Sequence, residues 1–369
     1  MSPADRRQTW RLLAFVILAG LAVAAWVHRP AATADARFGW RPDPDGVRSF
    51  LDELGPRRFF AQVGAEAMRK AAAEQMDTFL YRAMDKAHRA RYGGPFVVGR
   101  QGIGDCVSWG AMHAVYAAEC VAWELGELAE PPLLPATEAI YGGSRVEARG
   151  KPGDGLQAYG GWSDGSTGYA ASRWLRDWGV VYREQLGAID LTNYSADRAK
   201  AWGAYGCGGQ GDGGKMDAVA KKHPCRHVVQ VRNWDELVGS ILNGHPVTIA
   251  SSVGFNSGPR DADGFCRASG TWMHQMSVIG IRFAKNATGP MGRDGALICN
   301  SWGNYVGGGK FPADQPDGTF WASRADIERI LGQGDSWAIG NVAGFPAREL
   351  NHADWMAPAP VETLSRSDP

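Results

Sequence analysis

Three residues that lie far apart in the sequence have side chains that together suit nucleophilic catalysis. Cys106 follows the letters QGIGD, His274 stands within MHQMSVIG, and Asn300 stands within LICNSWG. A cysteine thiolate is a strong nucleophile, a histidine can take up and return its proton, and an amide oxygen can orient the histidine ring. This set of residues predicts a thiol hydrolase.

The patterns around these residues predict the elements that must position them. From Cys106 onward an apolar stripe indicates a largely buried helix, and Asp105 stands at its N-cap position. Unpaired N–H groups and the positive end of the dipole at a helix N-terminus favour a thiolate. We expect His274 at the start of a strand and Asn300 at the end of another.

The wider pattern predicts an α+β protein of two lobes, because helical patterns come first and strands later. The helical patterns are residues 45–91, the helix from Cys106, and residues 167–178, which Gly179 ends. The predicted strands are residues 247–253, 276–283, 296–302 and 318–323. We interpret residues 284–295 as an extended hairpin loop.

The chain resembles the papain family of cysteine peptidases in several motifs. They are Q-G-x-x-x-C at Cys106, H-x-M-x-V-x-G at His274, N-S-W-G at Asn300, a glycine loop at Gly165, and GHPVTI at 244–249. The resemblance implies a papain-like two-lobe fold. A helical lobe would carry the central helix at Cys106, a β-barrel-like lobe would carry His274 and Asn300, and a catalytic cleft would lie between them.

The resemblance also implies roles for individual residues. Cys106 would be the nucleophile, held as a thiolate against the imidazolium of His274, and Asn300 would orient that ring. Trp302 would cover the His274–Asn300 bond from water. The Gln101 side chain and the Cys106 backbone N–H would form the oxyanion hole.

Substrate contacts follow from the same resemblance. A peptide or protein substrate would lie along the cleft against the Gly165 loop. Ala250 and Met273 match positions that line the main specificity pocket, and Trp302 is a further expected substrate contact. The predicted activity is thiol-dependent hydrolysis of peptide bonds.

Three departures from the family pattern keep other functions open. Val107 replaces the usual tryptophan, Gln101 stands five residues before the cysteine and not six, and Asp105 replaces a small neutral residue. A carboxylate at that position opposes thiolate formation. The alternatives are a catalytically inactive papain-fold protein that binds peptides or partners, and a non-peptidase thiol hydrolase or acyltransferase.

The remaining cysteines suggest a disulfide more than a metal site. Cys207 and Cys225 would pair if the domain is exported, and Cys266 could compete for either partner. His223 and His227 with these cysteines have a zinc-like composition, but a strand would alternate their side chains. We predict no metal and no cofactor, since the G-x-G-x-x-G at 206–211 follows no strand.

The amino terminus indicates targeting to a membrane. Residues 12–27 are apolar, and Arg6, Arg7 and Arg11 precede them. This layout is typical of a signal peptide or signal anchor, so we expect a membrane-anchored or secreted protein whose catalytic domain lies outside the cytoplasm.

The predicted domains are a targeting segment and linker (1–36), a helical region resembling a pro-segment or spacer (37–94), the peptidase domain (95–347) and a flexible tail (348–369). Lys plus Arg and Asp plus Glu number 39 each, a balance that argues against a general nucleic-acid partner. The oligomeric state stays open.

Overall fold

A computed structural model describes residues 38–55, 75–149, 164–209, 216–256, 258–286 and 292–340. All of them belong to one compact unit that begins at Ala36. The predicted targeting segment at 1–36 and the predicted tail at 348–369 lie outside the described residues. Both remain predictions.

The longest described helix, α3, starts at the candidate nucleophile. The helices are α1 (Pro44–Leu54), α2 (Tyr81–Tyr92), α3 (Cys106–Glu124), α4 (Thr137–Arg145), α5 (Gly168–Asp177), α6 (Ala196–Tyr205), α7 (Asp217–Ala220), α8 (Trp234–Leu242) and α9 (Arg324–Leu331). Every residue of α3 from Cys106 to Ala122 is buried, which confirms the predicted buried helix. The predicted helix at 167–178 is also confirmed, with Thr167 as its N-cap.

The strands form one large sheet and a separate small hairpin. They are β1 (Thr78–Phe79), β2 (Gln185–Leu186), β3 (Ile189–Asp190), β4 (His227–Gln230), β5 (Val247–Phe255), β6 (Ala268–Arg282), β7 (Gly295–Cys299), β8 (Thr319–Ser323) and β9 (Asp335–Gly340). The large sheet is antiparallel, in the order β4-β9-β5-β6-β7-β8, and β1 also pairs with β6. Strands β6 and β7 are neighbours, so the loop between them joins a hairpin as predicted.

One expectation about this sheet is wrong, and the predicted barrel-like lobe stops short of closure. His274 lies in the middle of the fifteen-residue strand β6 and not at a strand start, because the polar and glycine-containing residues before it still pair with β5. The β lobe is also not a closed barrel. Within the described residues no ladder joins β4 to β8, so the sheet stays open at these two edges.

Helix α3 separates two hydrophobic cores, one for each lobe. Its residues Tyr116 and Val121 pack into the core of the sheet together with α2. Its first turns, including Cys106 and Val107, pack into the core of the helical lobe. The candidate nucleophile therefore lies at the junction of the two lobes.

Different parts of the region 37–94 pack against different parts of the protein. Helix α1 and helix α2 account for parts of the predicted helical pattern, with strand β1 between them. Thr78 and Phe79 pair with β6, and α2 packs into the core of the sheet. The end of this region is therefore built into the sheet lobe, whereas its role as a pro-segment stays a prediction.

All six cysteines are free buried thiols, so the predicted Cys207–Cys225 disulfide is wrong. Both residues lie in the core of the helical lobe, where small apolar thiols pack well without pairing. In the part of the chain that the structure describes, no group of three or more His, Cys, Asp and Glu residues is placed to hold a metal ion. Across the same residues, no helix combines the length and apolar character needed to cross a bilayer.

Candidate active site

Two side chains of β6 attach the start of α3 to the strand that carries His274. Gln275 Nε2 donates to the Val107 carbonyl at 3.0 Å, and Ser277 Oγ donates to the Gly110 carbonyl at 2.5 Å. A Cβ at Gly110 would lie 3.2 Å from the Met276 oxygen, so glycine permits this close approach of helix and strand. The contacts hold Cys106 beside the middle of β6.

The sulfur of Cys106 is buried under two backbone N–H groups. These belong to Gln275, the neighbour of His274, and to Gly39. Burial raises the pKa of Cys106 to about 12, and the carboxyl groups of Asp105 and Asp164 act in the same direction, while the two N–H groups oppose them. In this closed arrangement Cys106 is a thiol.

A short hydrogen bond joins His274 to Asn300. His274 Nε2 lies 2.7 Å from Asn300 Oδ1, and both residues are buried. The Ser301 backbone N–H also donates to Asn300 Oδ1 at 2.7 Å, which identifies that atom as the oxygen of the amide. His274 must therefore donate from Nε2, so in the neutral ring the basic nitrogen is Nδ1.

Aromatic rings cover the bond between His274 and Asn300. The centroid of Trp302 lies 4.8 Å from that of His274, and Trp272 approaches the same ring edge-on at 6.2 Å. Phe38 contacts both His274 and Trp302. The structure thus places Trp302 where the resemblance predicted a cover, and this low-polarity surrounding strengthens the bond.

Gln101 is held next to the N-S-W-G motif. Its Oε1 accepts from Ser301 Oγ at 2.6 Å, and its backbone N–H donates to the Ser301 carbonyl at 2.8 Å. Its Nε2 donates to the Ile103 carbonyl at 2.8 Å. The same carbonyl accepts the N–H of Asp105 at 2.8 Å, so the loop before Cys106 contains a tight turn.

Asp105 occupies the N-cap position of α3 as predicted, but its side chain makes no capping bond. The carboxyl is buried and accepts from the Tyr194 hydroxyl at 3.0 Å, whereas Oδ1 has no hydrogen-bond partner among the described residues. Burial raises the pKa of Asp105 well above its usual range. Trp109, two residues beyond Val107, packs its ring against Tyr194 at 5.1 Å.

Residues 38–41, which we call the cleft segment, lie across the candidate site. The Gly39 and Trp40 backbone N–H groups donate to the Met273 carbonyl at 3.0 and 2.9 Å. On the other side, the Ser166 N–H donates to the Gly39 carbonyl at 2.8 Å, and the Arg41 N–H donates to the Ser166 carbonyl at 2.9 Å. The segment therefore forms backbone hydrogen bonds with both walls of the cleft, at Met273 on one side and at Ser166 on the other. A substrate would bind between the same two walls.

Gly39 and Gly165 make this close seating possible. A Cβ at Gly39 would lie 1.8 Å from the Gly104 carbonyl oxygen, and a Cβ at Gly165 would lie 2.4 Å from the Gly39 oxygen. Gly165 also has a φ of +105°, in a region that favours glycine. The predicted substrate residues Gly165 and Met273 are thus both in contact with the cleft segment.

Three residues near the site were missed by sequence reasoning. Tyr305 accepts from Asn300 Nδ2 at 2.7 Å, Tyr194 holds Asp105, and Asp335 pairs in register with the predicted pocket residue Ala250. Tyr305 follows the N-S-W-G motif closely, and that proximity was a usable signal. Asp335 and Tyr194 carry no such signal, because only folding brings them to the cleft.

Comparisons with known proteins agree with this geometry at the level of the fold. A structure of xylellain, a cysteine protease from Xylella fastidiosa, matches with a TM-score of 0.50 and 17% identity, over 85% of this chain and 99% of that one. The fold is papain-like. Weaker likenesses include procathepsin B S9 from Trypanosoma congolense (TM-score 0.47, 10% identity, 85% and 89% covered) and bromelain from Ananas comosus in complex with the E64 inhibitor (TM-score 0.41, 17% identity, 68% and 96% covered).

Sequence comparisons add nothing to the papain-like assignment. No protein-family model matches the chain, and no curated protein matches it. The predicted papain-like architecture of two lobes is nevertheless confirmed by the structural likeness and by the two cores.

Proposed function

We propose that this protein is a cysteine peptidase that hydrolyses peptide bonds with Cys106, His274 and Asn300. The observation that carries the proposal is the 2.7 Å bond from His274 Nε2 to Asn300 Oδ1, next to the residue whose N–H faces the Cys106 sulfur. This bond leaves Nδ1 as the basic atom that takes the thiol proton.

In the proposed reaction, His274 accepts the proton of Cys106 and the thiolate attacks the carbonyl carbon of a peptide bond. The Cys106 N–H, which helix geometry leaves without a partner in the first turn of α3, and Gln101 Nε2 stabilise the oxyanion. The imidazolium of His274 then protonates the leaving amine. Water, deprotonated by the same ring, hydrolyses the thioester and restores the thiol.

We further propose that the cleft segment keeps the enzyme latent, in keeping with the predicted pro-segment role of residues 37–94. The Gly39 N–H, which also donates to the Met273 carbonyl, lies against the sulfur, and the Gly39 carbonyl oxygen accepts from the Ser166 N–H. The raised pKa of buried Cys106 belongs to this closed arrangement. Departure of the segment would expose the thiol and release the two walls for substrate.

A papain-fold protein without activity, which binds peptides or partners, is the second candidate. It is favoured by one observation, the buried Asp105 carboxyl directly before Cys106. An ionised carboxylate there opposes the thiolate on which catalysis depends. In that case the cleft would bind an extended chain, as it now holds residues 38–41, without cleaving it.

The test is to open the cleft in the full-length chain and to measure alkylation of Cys106. Gly39→Ala places a Cβ 1.8 Å from a backbone oxygen and should displace the cleft segment, whereas Gly307→Ala adds a Cβ with nothing within 4 Å. We expect Gly39→Ala to increase the iodoacetamide rate at Cys106 at least ~10-fold and to raise hydrolysis of a mixed peptide substrate. Gly307→Ala should behave as wild type.

Cys106→Ser in the Gly39→Ala background should abolish hydrolysis while the melting temperature is kept. Undiminished peptide hydrolysis in that double variant would remove Cys106 from the mechanism. Rapid alkylation of Gly39→Ala without cleavage of any peptide in the mixture would favour the binding protein.

We also propose that residues 12–27 direct the protein to a membrane, with residues after them outside the cytoplasm. The support is the apolar run and the three arginines before it. The test is fractionation of cells that express the full-length chain, followed by protease treatment of intact cells or spheroplasts. Recovery of the uncleaved, protease-protected chain in the soluble fraction would contradict this proposal.

A further inference from the structure

The side chain of Trp40 is buried in the same core cluster as Cys106, and we call the space that it occupies the Trp40 pocket. Trp40 directly follows Gly39, whose N–H faces the Cys106 sulfur. The indole is buried in the core of the helical lobe, which also contains Tyr169, Ala250 and Trp337. The structure therefore holds, inside the cleft, a side chain of this chain in the place where a substrate side chain would lie.

A carboxyl group that is buried at the floor of the pocket receives the Trp40 indole. Trp40 Nε1 donates to Asp335 Oδ2 at 2.8 Å. The other ligands of this carboxyl belong to the body of the protein, since the Gly168 N–H also donates to Oδ2 at 2.8 Å and Trp337 Nε1 donates to Oδ1 at 2.7 Å. Asp335 thus remains in place when the cleft segment leaves, but it loses one donor.

The surroundings of Asp335 decide which donor suits the pocket. Every group that bonds to it is a neutral N–H, and the pocket walls named above are apolar or aromatic. Burial raises the pKa of Asp335, so the carboxyl is desolvated and depends on N–H donors that reach it inside the protein. A flat aromatic side chain with one N–H meets both conditions.

We infer that Asp335 makes this pocket selective for substrates that place a tryptophan side chain beside Cys106. This inference rests on the proposed peptidase function and names its substrate class. A substrate aromatic ring without a donor would leave Asp335 Oδ2 with the Gly168 N–H alone and one buried lone pair unfilled, a loss that corresponds to about 5- to 150-fold in binding or rate. Trp40 then acts as the internal stand-in for the substrate residue.

The experiment compares two peptides that differ by one atom group. One contains a single tryptophan among alanines and glycines, and the other contains 3-benzothienylalanine, in which sulfur replaces the indole N–H. Full-length Gly39→Ala protein is the enzyme, kcat/KM is measured for each peptide, and mass spectrometry locates the cleaved bond. We expect the tryptophan peptide to be preferred about tenfold or more.

The variant Asp335→Ala in the same background should reduce this preference to about twofold or less. Because that change also removes the partner of Gly168 and Trp337, its melting temperature is recorded. If Asp335→Ala does not fold, the ratio of kcat/KM for the two peptides on the Gly39→Ala protein, which retains Asp335, still tests the inference. Equal kcat/KM values for the two peptides would overturn the inference and leave the peptidase proposal standing.

A binding arm separates this inference from the proposed function. The Kd of each peptide is measured with full-length protein that carries Gly39→Ala and Cys106→Ala. If neither peptide is hydrolysed by the parent but the tryptophan peptide binds about tenfold more tightly, the pocket inference holds and the peptidase proposal fails. Equal or absent binding of both peptides together with absent hydrolysis would overturn both.

Discussion

The hydroxyl of Tyr305 lies 2.7 Å from Asn300 Nδ2, on the opposite side of the amide from His274. The amide is therefore held at both ends, because its oxygen accepts from His274 and Ser301 while its nitrogen donates to Tyr305. A rotation of the amide by 180° would set its nitrogen against the N–H of Ser301. Asn300 thus presents an acceptor, and only an acceptor, to the histidine ring.

The first prediction separates the roles of His274 and Asn300. In the Gly39→Ala background, His274→Ala should lower kcat/KM by about 10³-fold or more, because it removes both the base and the charge that stabilises the thiolate. Asn300→Ala should lower it by about 10- to 150-fold, since an oriented bond to an imidazolium is lost but base and nucleophile remain. Equal losses would show that Asn300 does more than orient the ring. Thermal melts control for folding.

The second prediction concerns Tyr305 as a positioning residue. Tyr305→Phe removes the acceptor of Asn300 Nδ2, so we expect a drop in kcat of about 2- to 10-fold. The pH profile of kcat/KM should shift as well, because a less well-held amide stabilises the imidazolium of His274 less. A variant that loses stability while its kcat and pH profile stay unchanged would assign Tyr305 a structural role only.

The third prediction tests Gln101 as an oxyanion donor. Gln101→Ala should lower kcat about 10²- to 10³-fold with little change in KM, since the bond forms mainly in the transition state. Ser301→Ala is the matched control, because it removes the partner of Gln101 Oε1 and leaves Nε2 in place. It should cost less than Gln101→Ala. If Gln101→Ala retains full kcat, another group serves the oxyanion.

The fourth prediction follows from the raised pKa of Asp105. A carboxyl whose pKa is higher in the folded state binds more protons there than in the unfolded chain, so its contribution to stability falls as the pH rises above about 4. Asp105→Asn keeps an acceptor for Tyr194 and removes this titration. The variant should therefore melt at a higher temperature than wild type at pH 8, with the difference vanishing near pH 4.

The control for this prediction is the exposed carboxylate of Asp190, whose pKa is lowered by bonds from Thr192. That group stabilises the fold above its unfolded pKa, so Asp190→Asn should not raise the melting temperature at pH 8. A lower melting temperature of Asp105→Asn at pH 8 would show that the buried carboxyl is stabilising in its ionised form, against the prediction.

The sequence by itself predicted the architecture and pointed to Cys106, His274 and Asn300 as the candidate residues of the site. The apolar stripe from Cys106 predicts a buried helix because a period of 3.6 residues can be read locally. The alternation of β-branched and apolar residues similarly predicts β5, β7 and β8 to within a few residues. The motifs around Cys106, His274 and Asn300 then suffice to expect a papain-like fold.

Other elements could not be predicted because their reasons are not local. Helix α4 contains Gly142 and Gly143, which are poor helix formers, yet a Cβ at Gly143 would lie 2.1 Å from the Trp174 ring. The glycines are therefore present for packing between helices. The N-terminal half of β6 looks irregular in sequence, and its pairing with β5 gives it strand structure.

Only the tertiary structure decided what surrounds Cys106. The positions of Gly39, Tyr194 and Asp335 depend on contacts between segments that are 60 or more residues away in the chain, and no spacing encodes such contacts. Burial likewise decided the pKa shifts of Cys106 and Asp105, because desolvation is a property of the folded environment and not of the residue. The motifs predict the chemistry, whereas the packing around them decides the burial of Cys106 and places Trp40 beside it.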